Sequence, residues 1–291
     1  MKRSSFILLF LLSVAIAHAS LLWKISAPGS DKASYIFGSH HFASPDILAA
    51  YPSIDSLIAS SQLVVGEISP EELAAAQSGS ISSWLIAPAD STLSKVLDAS
   101  TYALLDSIAQ SYGLGSGAAI FEMFKPAAVQ TQLALLSLLK DIPELAMSGG
   151  IDEILLAKAV DAGIPVAGLE TAAFQAEALF GNPIARQAED FKAMLAKHTQ
   201  WSETNHHLYD LYTSGDIEGM YSYASADMSE EEHSRLIVGR NAAWISFLLG
   251  LIPTTSVFIV VGAGHLGGDR GLISLLRNNG YNVTPIQPTA L

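Results

Sequence analysis

The chain has 291 residues, no cysteine, and 28 acidic against 15 basic side chains, a formal net charge of −13. That balance repels polyanions and argues against nucleic acid or an anionic membrane surface as a partner. Without thiols there can be no disulfide framework and no thiolate catalysis or ligation, so stability has to come from packing.

The first element is a leader. Met1-Lys2-Arg3 precedes an apolar run from Phe6 to Ala17 and the small-residue triplet Ala17-His18-Ala19. This is the pattern of a secretory signal peptide over residues 1–19, cut after Ala19. The run is shorter than the roughly 20 residues a spanning helix needs. A periplasmic or secreted protein is expected, without stable membrane insertion, and an uncleaved anchor is the alternative. No cysteine stands at the cleavage point to carry a lipid. Residues 20–291 read as a single α/β domain, and loss of Lys2 and Arg3 makes it more acidic still.

Leu21 to Ala27 and Ser34 to Ser39, separated by Pro28-Gly29-Ser30-Asp31, read as a hairpin or a pair of neighbouring strands. Ser44-Pro45-Asp46 opens a helix expected to run through about Ser60, with serine as N-cap and proline in the first turn. Leu63 to Ile68 is a short buried strand, and Ser69-Pro70 starts another helix in the same manner. From Ser91 to Lys140 the chain is rich in Ala and Leu at helical spacing, broken at Gly113 to Gly117 and before Pro126, which predicts a helical insertion. Ile151 to Ala162 is a helix ended by Gly163, and Pro165 to Glu170 returns as a strand. Ala185 to Leu249 is mostly amphipathic helix, interrupted at Ser214-Gly215-Asp216 and near Ser225 to Ser229; strand, glycine-rich loop, helix and strand complete the chain. Alternation of short apolar strands with longer helices predicts a parallel or mixed central sheet covered by helices.

Ionisable residues gather where these strands end. Gly38-Ser39-His40-His41 follows Tyr35-Ile36-Phe37, and Gly262-Ala263-Gly264-His265 follows Ser256 to Val261, so one Gly-x-x-His pattern occurs after two strands. Glu67 closes Leu63 to Gly66 and Glu170 closes Pro165 to Leu169. In open α/β sheets the carboxyl edge of the strands is where ligands bind. Two imidazoles and two carboxylates there could ligate a divalent transition metal and activate a bound water. Each also has a plainer reading: a solvated rim residue for Glu67, a helix N-terminal charge beside the capping Thr171 for Glu170, and a structural or solvated role for each histidine. Arg240-Asn241, within the helical pattern Leu236 to Leu249, is either surface or a clamp reaching the same edge. His206-His207 points to different faces of a helix and is assigned to the surface. No H-E-x-x-H, G-x-S-x-G or P-loop pattern occurs.

Taken together and in order, Phe37 to His41, Val65-Gly66-Glu67, Gly150-Ile151-Asp152, Gly163 to Thr171, Arg240-Asn241, Val261 to Leu266 and Gly280 to Val283 resemble the TraB/GumN family, related to bacterial pheromone-shutdown proteins and animal Tiki proteins. The resemblance implies a mixed central sheet flanked by helices, of the erythromycin-esterase-like and ChaN-like kind. It also implies a metal-dependent peptidase with manganese or cobalt favoured over zinc. Carried onto this chain, the metal ligands are His41, Glu67 and His265. Glu67, Arg240 and Asn241 are the catalytic candidates, and His40, Glu170 and Arg240 contact substrate or support the site. Gly38, Gly262 and Gly264 are the motif glycines. Serine stands at position 39, where the family commonly has threonine, and His40 is an extra histidine. The expected function is an exported metal-dependent hydrolase acting on a peptide or small ligand; the alternative is a non-catalytic protein that sequesters such a ligand.

Overall fold

The computed structural model describes residues 19–41, 43–147 and 150–289. The expected leader, apart from Ala19, lies outside them. A six-stranded sheet is ordered β4-β3-β5-β2-β1-β6, with β1 Leu22–Ser26, β2 Ala33–Ser39, β3 Leu63–Gly66, β4 Val166–Gly168, β5 Val257–Gly262 and β6 Asn282–Ile286. β2, β5, β3 and β4 run parallel, while β1 is antiparallel to both β2 and β6. The sheet is therefore mixed, as expected.

β5 occupies the inner position because Val257 to Val261 are all fully buried, as a strand covered on both faces must be. β1 and β2 form the expected hairpin, pairing Leu22 with Phe37 and Ser26 with Ala33. Around the sheet lie α1 Ile54–Ser60, α2 Pro70–Ala75, α3 Ala99–Ser111, α4 Pro126–Asp141, α5 Ile151–Asp161, α6 Ala172–Phe180, α7 Ile184–Ala196, α8 Trp201–Thr213, α9 Ile217–Ser225, α10 Gly239–Leu251 and α11 Leu272–Asn278, besides shorter helical turns. No helix among the described residues is long and apolar enough to cross a membrane.

The helix expected from Ser44 to Ser60 is broken: a 3-10 turn covers Pro45–Ala50 and α1 starts only at Ile54. Pro52 disfavours helical geometry at the residue before it, and Tyr51 takes φ −125°, ψ 65°. Ser69 caps α2 by accepting from Glu72 N, and Thr171 caps α6 by accepting from Phe174 N. At α5 the first turn begins after Gly150, and Gly163 leaves the helix with φ +70°, a conformation that costs glycine little.

Among the described residues two main apolar cores form, with a small third cluster of Ala128, Ala176 and Phe180. The larger joins the sheet to α5, α10 and α11 through Phe258, Val260, Leu155, Trp244 and Leu276. A second, built from Leu105, Ile108, Val129, Leu133, Phe191 and Leu195, holds α3, α4 and α7 together. The helical insertion thus has its own core and recruits α7, which the sequence places with the later amphipathic segment.

The carboxyl end of β2 meets the turn after β5 so closely that a Cβ on Gly38 would lie 2.8 Å from Leu266 Cδ1 and 3.1 Å from the Ala263 Cα. Gly38→Ala is expected to destabilise the protein by about 1–3 kcal/mol through this overpacking. Urea titration checks it; an unchanged midpoint would show that the turn yields freely.

Candidate active site

The parallel register brings the motif residues to one edge. Ser39 pairs with Gly262, Val65 with Ile259 and Gly66 with Gly168, so the residues just past β2, β5, β3 and β4 are neighbours. Glu67, Glu170 and His265 converge there, and His41 stands at the outer rim.

Arg240 organises the buried part. Its Nε donates to both oxygens of Glu170 at 3.1 Å, and Nη2 donates to Glu170 Oε1 and Glu67 Oε2 at 2.6 Å each. Nη1 donates to Leu236 O at 3.3 Å and to His265 Nε2 at 3.0 Å. A guanidinium can only donate, so His265 Nε2 is the acceptor and the imidazole proton sits on Nδ1. That nitrogen donates to Asn241 Oδ1 at 2.7 Å, while Asn241 Nδ2 donates to the carbonyls of His265 and Arg270, which fixes the amide orientation. Trp244, one turn along α10, donates from Nε1 to Glu170 Oε2 at 3.0 Å and lies against both Arg240 and His265. A π-helical segment, Ser234–Val238, leads into α10 just before the arginine.

Glu67 completes its partners with Gly262 N at 2.8 Å and Gln175 Nε2 at 3.0 Å. Burial pushes its carboxyl up, but His265, Arg240, His41 and the Gly262 N–H together bring it down to about 2. Burial, with Arg240 and His41 alongside, lowers His265 to about 4 against the opposing pull of Glu67.

The run from Gly262 to Gly267 also spells Gly-x-Gly-x-x-Gly after a strand, the arrangement that cradles phosphates when it opens a helix. Here a 3-10 turn Ala263–His265 follows, α11 begins only at Leu272, and the Gly262 N–H already holds the Glu67 carboxylate. A Cβ on Gly264 would meet nothing within 4 Å, so close approach does not require glycine there.

His41 is different in character. Its side chain is 56% exposed, and Nδ1 lies 3.0 Å from both oxygens of Asp152 in the first turn of α5. This pairing, outweighing burial, raises the imidazole to about 9. His40 turns elsewhere, stacking on Tyr212 at 5.2 Å, and burial lowers it to about 4.

A cleft of about 430 Å³ opens beside these groups, lined by Ser39, His41, Glu67 and Asp152 at one end and by apolar side chains of α2 and α5 along its length. None of its lining comes from Ser91 to Lys140. Ser39 is 2% exposed, and its Oγ has no hydrogen-bond partner among the described residues.

As arranged, the residues do not fit a metal centre. His265 spends Nε2 on Arg240 and Nδ1 on Asn241, Glu67 is held by three donors, and His41 Nδ1 is directed at Asp152. Among the described residues no group of three or more His, Asp or Glu could hold an ion. A cation would require Arg240 to leave both donors.

His41, Glu67, Glu170, Arg240, Asn241 and His265, candidates on sequence, come to one edge in the structure. Asp152, Ser39, Gln175 and Trp244 join them there without having had a role on sequence. Asp152 lay inside a quoted motif, and Trp244 is one helical turn from Arg240, a spacing that marks a shared face. Gln175 carried no signal.

Glu67 and His265 make this edge acid-sensitive. For both Glu67 and His265 the folded value lies below the unfolded one, so each contributes stability that is lost as pH falls: from 6.5 to about 4 for His265 and from 4.5 to about 2 for Glu67. His41 acts oppositely, its contribution present below 6.5 and lost as pH rises through about 9. The urea midpoint should fall between pH 6.5 and 4, with up to roughly 3 kcal/mol from His265. A His265→Gln variant that keeps the wild-type slope would contradict this assignment.

The chain matches the family described as TraB/PrgY/gumN over residues 21–285. No curated protein and no solved structure matches it.

Proposed function

This chain belongs to the TraB/PrgY/gumN family, and on that premise we propose that it is a hydrolase that cuts peptide bonds in the cleft at the carboxyl ends of β2 and β3. The observation that carries the reading is the His41–Asp152 pair at the cleft mouth, an imidazole oriented through Nδ1 by a carboxylate. That arrangement suits general acid–base catalysis.

In the proposed reaction neutral His41 takes a proton from water through Nε2 as the water oxygen attacks the peptide carbonyl carbon. The C–N bond then breaks, and the protonated imidazole returns its proton to the leaving amine. Ser39, whose buried Oγ is unpartnered at the cleft floor, donates to the carbonyl oxygen as it gains negative charge. The Arg240 network holds Glu67 and His265 rigidly behind the reacting groups. Glu67 is a poor base here, being strongly acidic and held by three donors.

Ser39→Ala is expected to lower kcat about 10²-fold with little effect on KM, the loss typical of one oxyanion donor. Ser39→Thr, which keeps the hydroxyl, should retain most activity. Steady-state kinetics of the two variants checks this, and equal activity in Ser39→Ala and wild type would remove the serine from the reaction.

Metal-activated water, expected from the resemblance, is the alternative route to the same reaction. It predicts activity lost on chelation and restored by manganese or cobalt. Export follows from the leader pattern in residues 1–19 and is tested by sequencing the amino terminus of protein recovered from the periplasm and medium.

A further inference from the structure

α5 does two jobs at the cleft. Its first turn supplies Asp152 to His41, and its cleft face continues as Glu153, Leu156, Ala157, Val160 and Asp161. Glu153, Leu156, Ala157 and Val160 follow i, i+3, i+4, i+7 spacing and so form one stripe, which borders the buried Ile151, Leu155 and Ala159 face and meets the core through Leu156. Leu73 of α2 stands across the cleft. Val160 is 55% exposed, a large apolar side chain left in solvent as part of this wall.

Beyond His41, which pairs with Asp152, the ionisable groups lining the cleft are acidic. Its lining contains no lysine or arginine, and of its four acidic groups Glu67 is held by Arg240 and Asp152 by His41. Glu153 and Asp161 have no ion-pair partner among the described residues and are exposed. Asp161 sits at the carboxyl end of α5, where the helix dipole adds to the attraction for a cation.

Resting on the hydrolase reading above, we propose that the cleft selects peptides carrying a branched or aromatic apolar residue beside the scissile bond and a lysine or arginine farther along the chain. The apolar side chain packs between Leu73, Leu156 and Val160, and the cation meets Asp161. A helix rises about 1.5 Å per residue, so Asp161 lies about 13 Å from Asp152 along α5. An extended peptide covers that span in about four residues, which sets the spacing of the basic residue from the cut.

The test is a pool of synthetic end-blocked dodecapeptides of mixed sequence, incubated with the full mature chain and read by mass spectrometry. Binding of two fluorescent end-blocked peptides, one with Leu and Lys four positions apart and one with Asp replacing the Lys, is measured alongside. Wild type should cut next to Leu, Ile, Val or Phe with Lys or Arg about four residues away. Val160→Asp, at an exposed position where folding tolerates the change, should abolish the apolar preference. Asp161→Lys should lower the ratio of Lys-bearing to Asp-bearing peptides cut by roughly tenfold.

Cleavage without these preferences, or variants that keep the wild-type profile, would overturn the inference and leave the hydrolase reading standing. No cleavage, with the Leu/Lys peptide bound more weakly by Asp161→Lys than by wild type, would support the inference and remove the hydrolase. Absence of both cleavage and binding would overturn both.

Discussion

Replacing His41 by alanine is expected to lower peptide-bond hydrolysis by roughly 10²- to 10⁴-fold, the range for loss of a positioned acid–base group. The fall should appear in kcat with KM little changed, because His41 is at the cleft mouth and the proposed reading assigns peptide binding to the apolar wall of α5. Stability should move by about 1 kcal/mol, since the histidine of the ion pair is 56% exposed although Asp152 is 23% exposed. Asp152→Asn separates orientation from charge. With the carboxylate gone the imidazole returns toward its ordinary range, so the alkaline rise of kcat/KM expected for a base held high by Asp152 should shift to lower pH while the maximum falls. A pH profile that is the same in Asp152→Asn and wild type would remove the dyad from the chemistry.

Arg240→Met is expected to be the most damaging single change to the fold. Arg240, Glu67 and Glu170 have side chains only 8%, 11% and 3% exposed, and the arginine is the cation common to both carboxylates. Removing it leaves two buried carboxylates without a counter-charge and frees His265 Nε2 of its donor, a loss of about 3–5 kcal/mol. Lysine at this position should recover little, because one ammonium cannot reproduce a fork that reaches Glu67, Glu170, His265 and Leu236 O. Adding Glu170→Gln to Arg240→Met should restore part of the loss by removing one buried charge. Denaturant unfolding of the single and double variants measures all three effects, and an Arg240→Met protein within about 1 kcal/mol of wild type would show that the network is relaxed by solvent.

Much of the fold was legible because the strands are short apolar runs with turn signals at their ends. Ser256 to Val261 reads as a strand and the structure has one over Val257–Gly262, and Ser69-Pro70 and Thr171 mark helix starts that the structure caps through the Ser69 and Thr171 hydroxyls. The edge shared by His41, Glu67, Glu170 and His265 was legible from the same feature, since each follows a strand and parallel strands end together. What each group does there was not. Ligand assignments for His265 and Glu67 rest on residue type, whereas the lone pairs of His265 Nε2 and of the Glu67 carboxylate are taken by Arg240, Gln175 and Gly262, and the His265 Nδ1 proton goes to Asn241, through contacts between residues as far apart as 195 positions. The break at Tyr51 was visible in Pro52 but yielded to the longer helical pattern around it. The recruitment of α7 into the core of the insertion depends on tertiary packing that no local pattern carries.

The measurement that bears most directly on the proposed reaction is cleavage of the mixed dodecapeptide pool by residues 20–291 of the chain and by their His41→Ala variant, each before and after exhaustive chelation. Cleavage by wild type should survive chelation and fall at least about 10²-fold in His41→Ala. Loss of wild-type cleavage on chelation, restored by manganese or cobalt, would contradict the Arg240-locked arrangement as the working state, and peptides recovered intact from wild type would contradict hydrolysis itself.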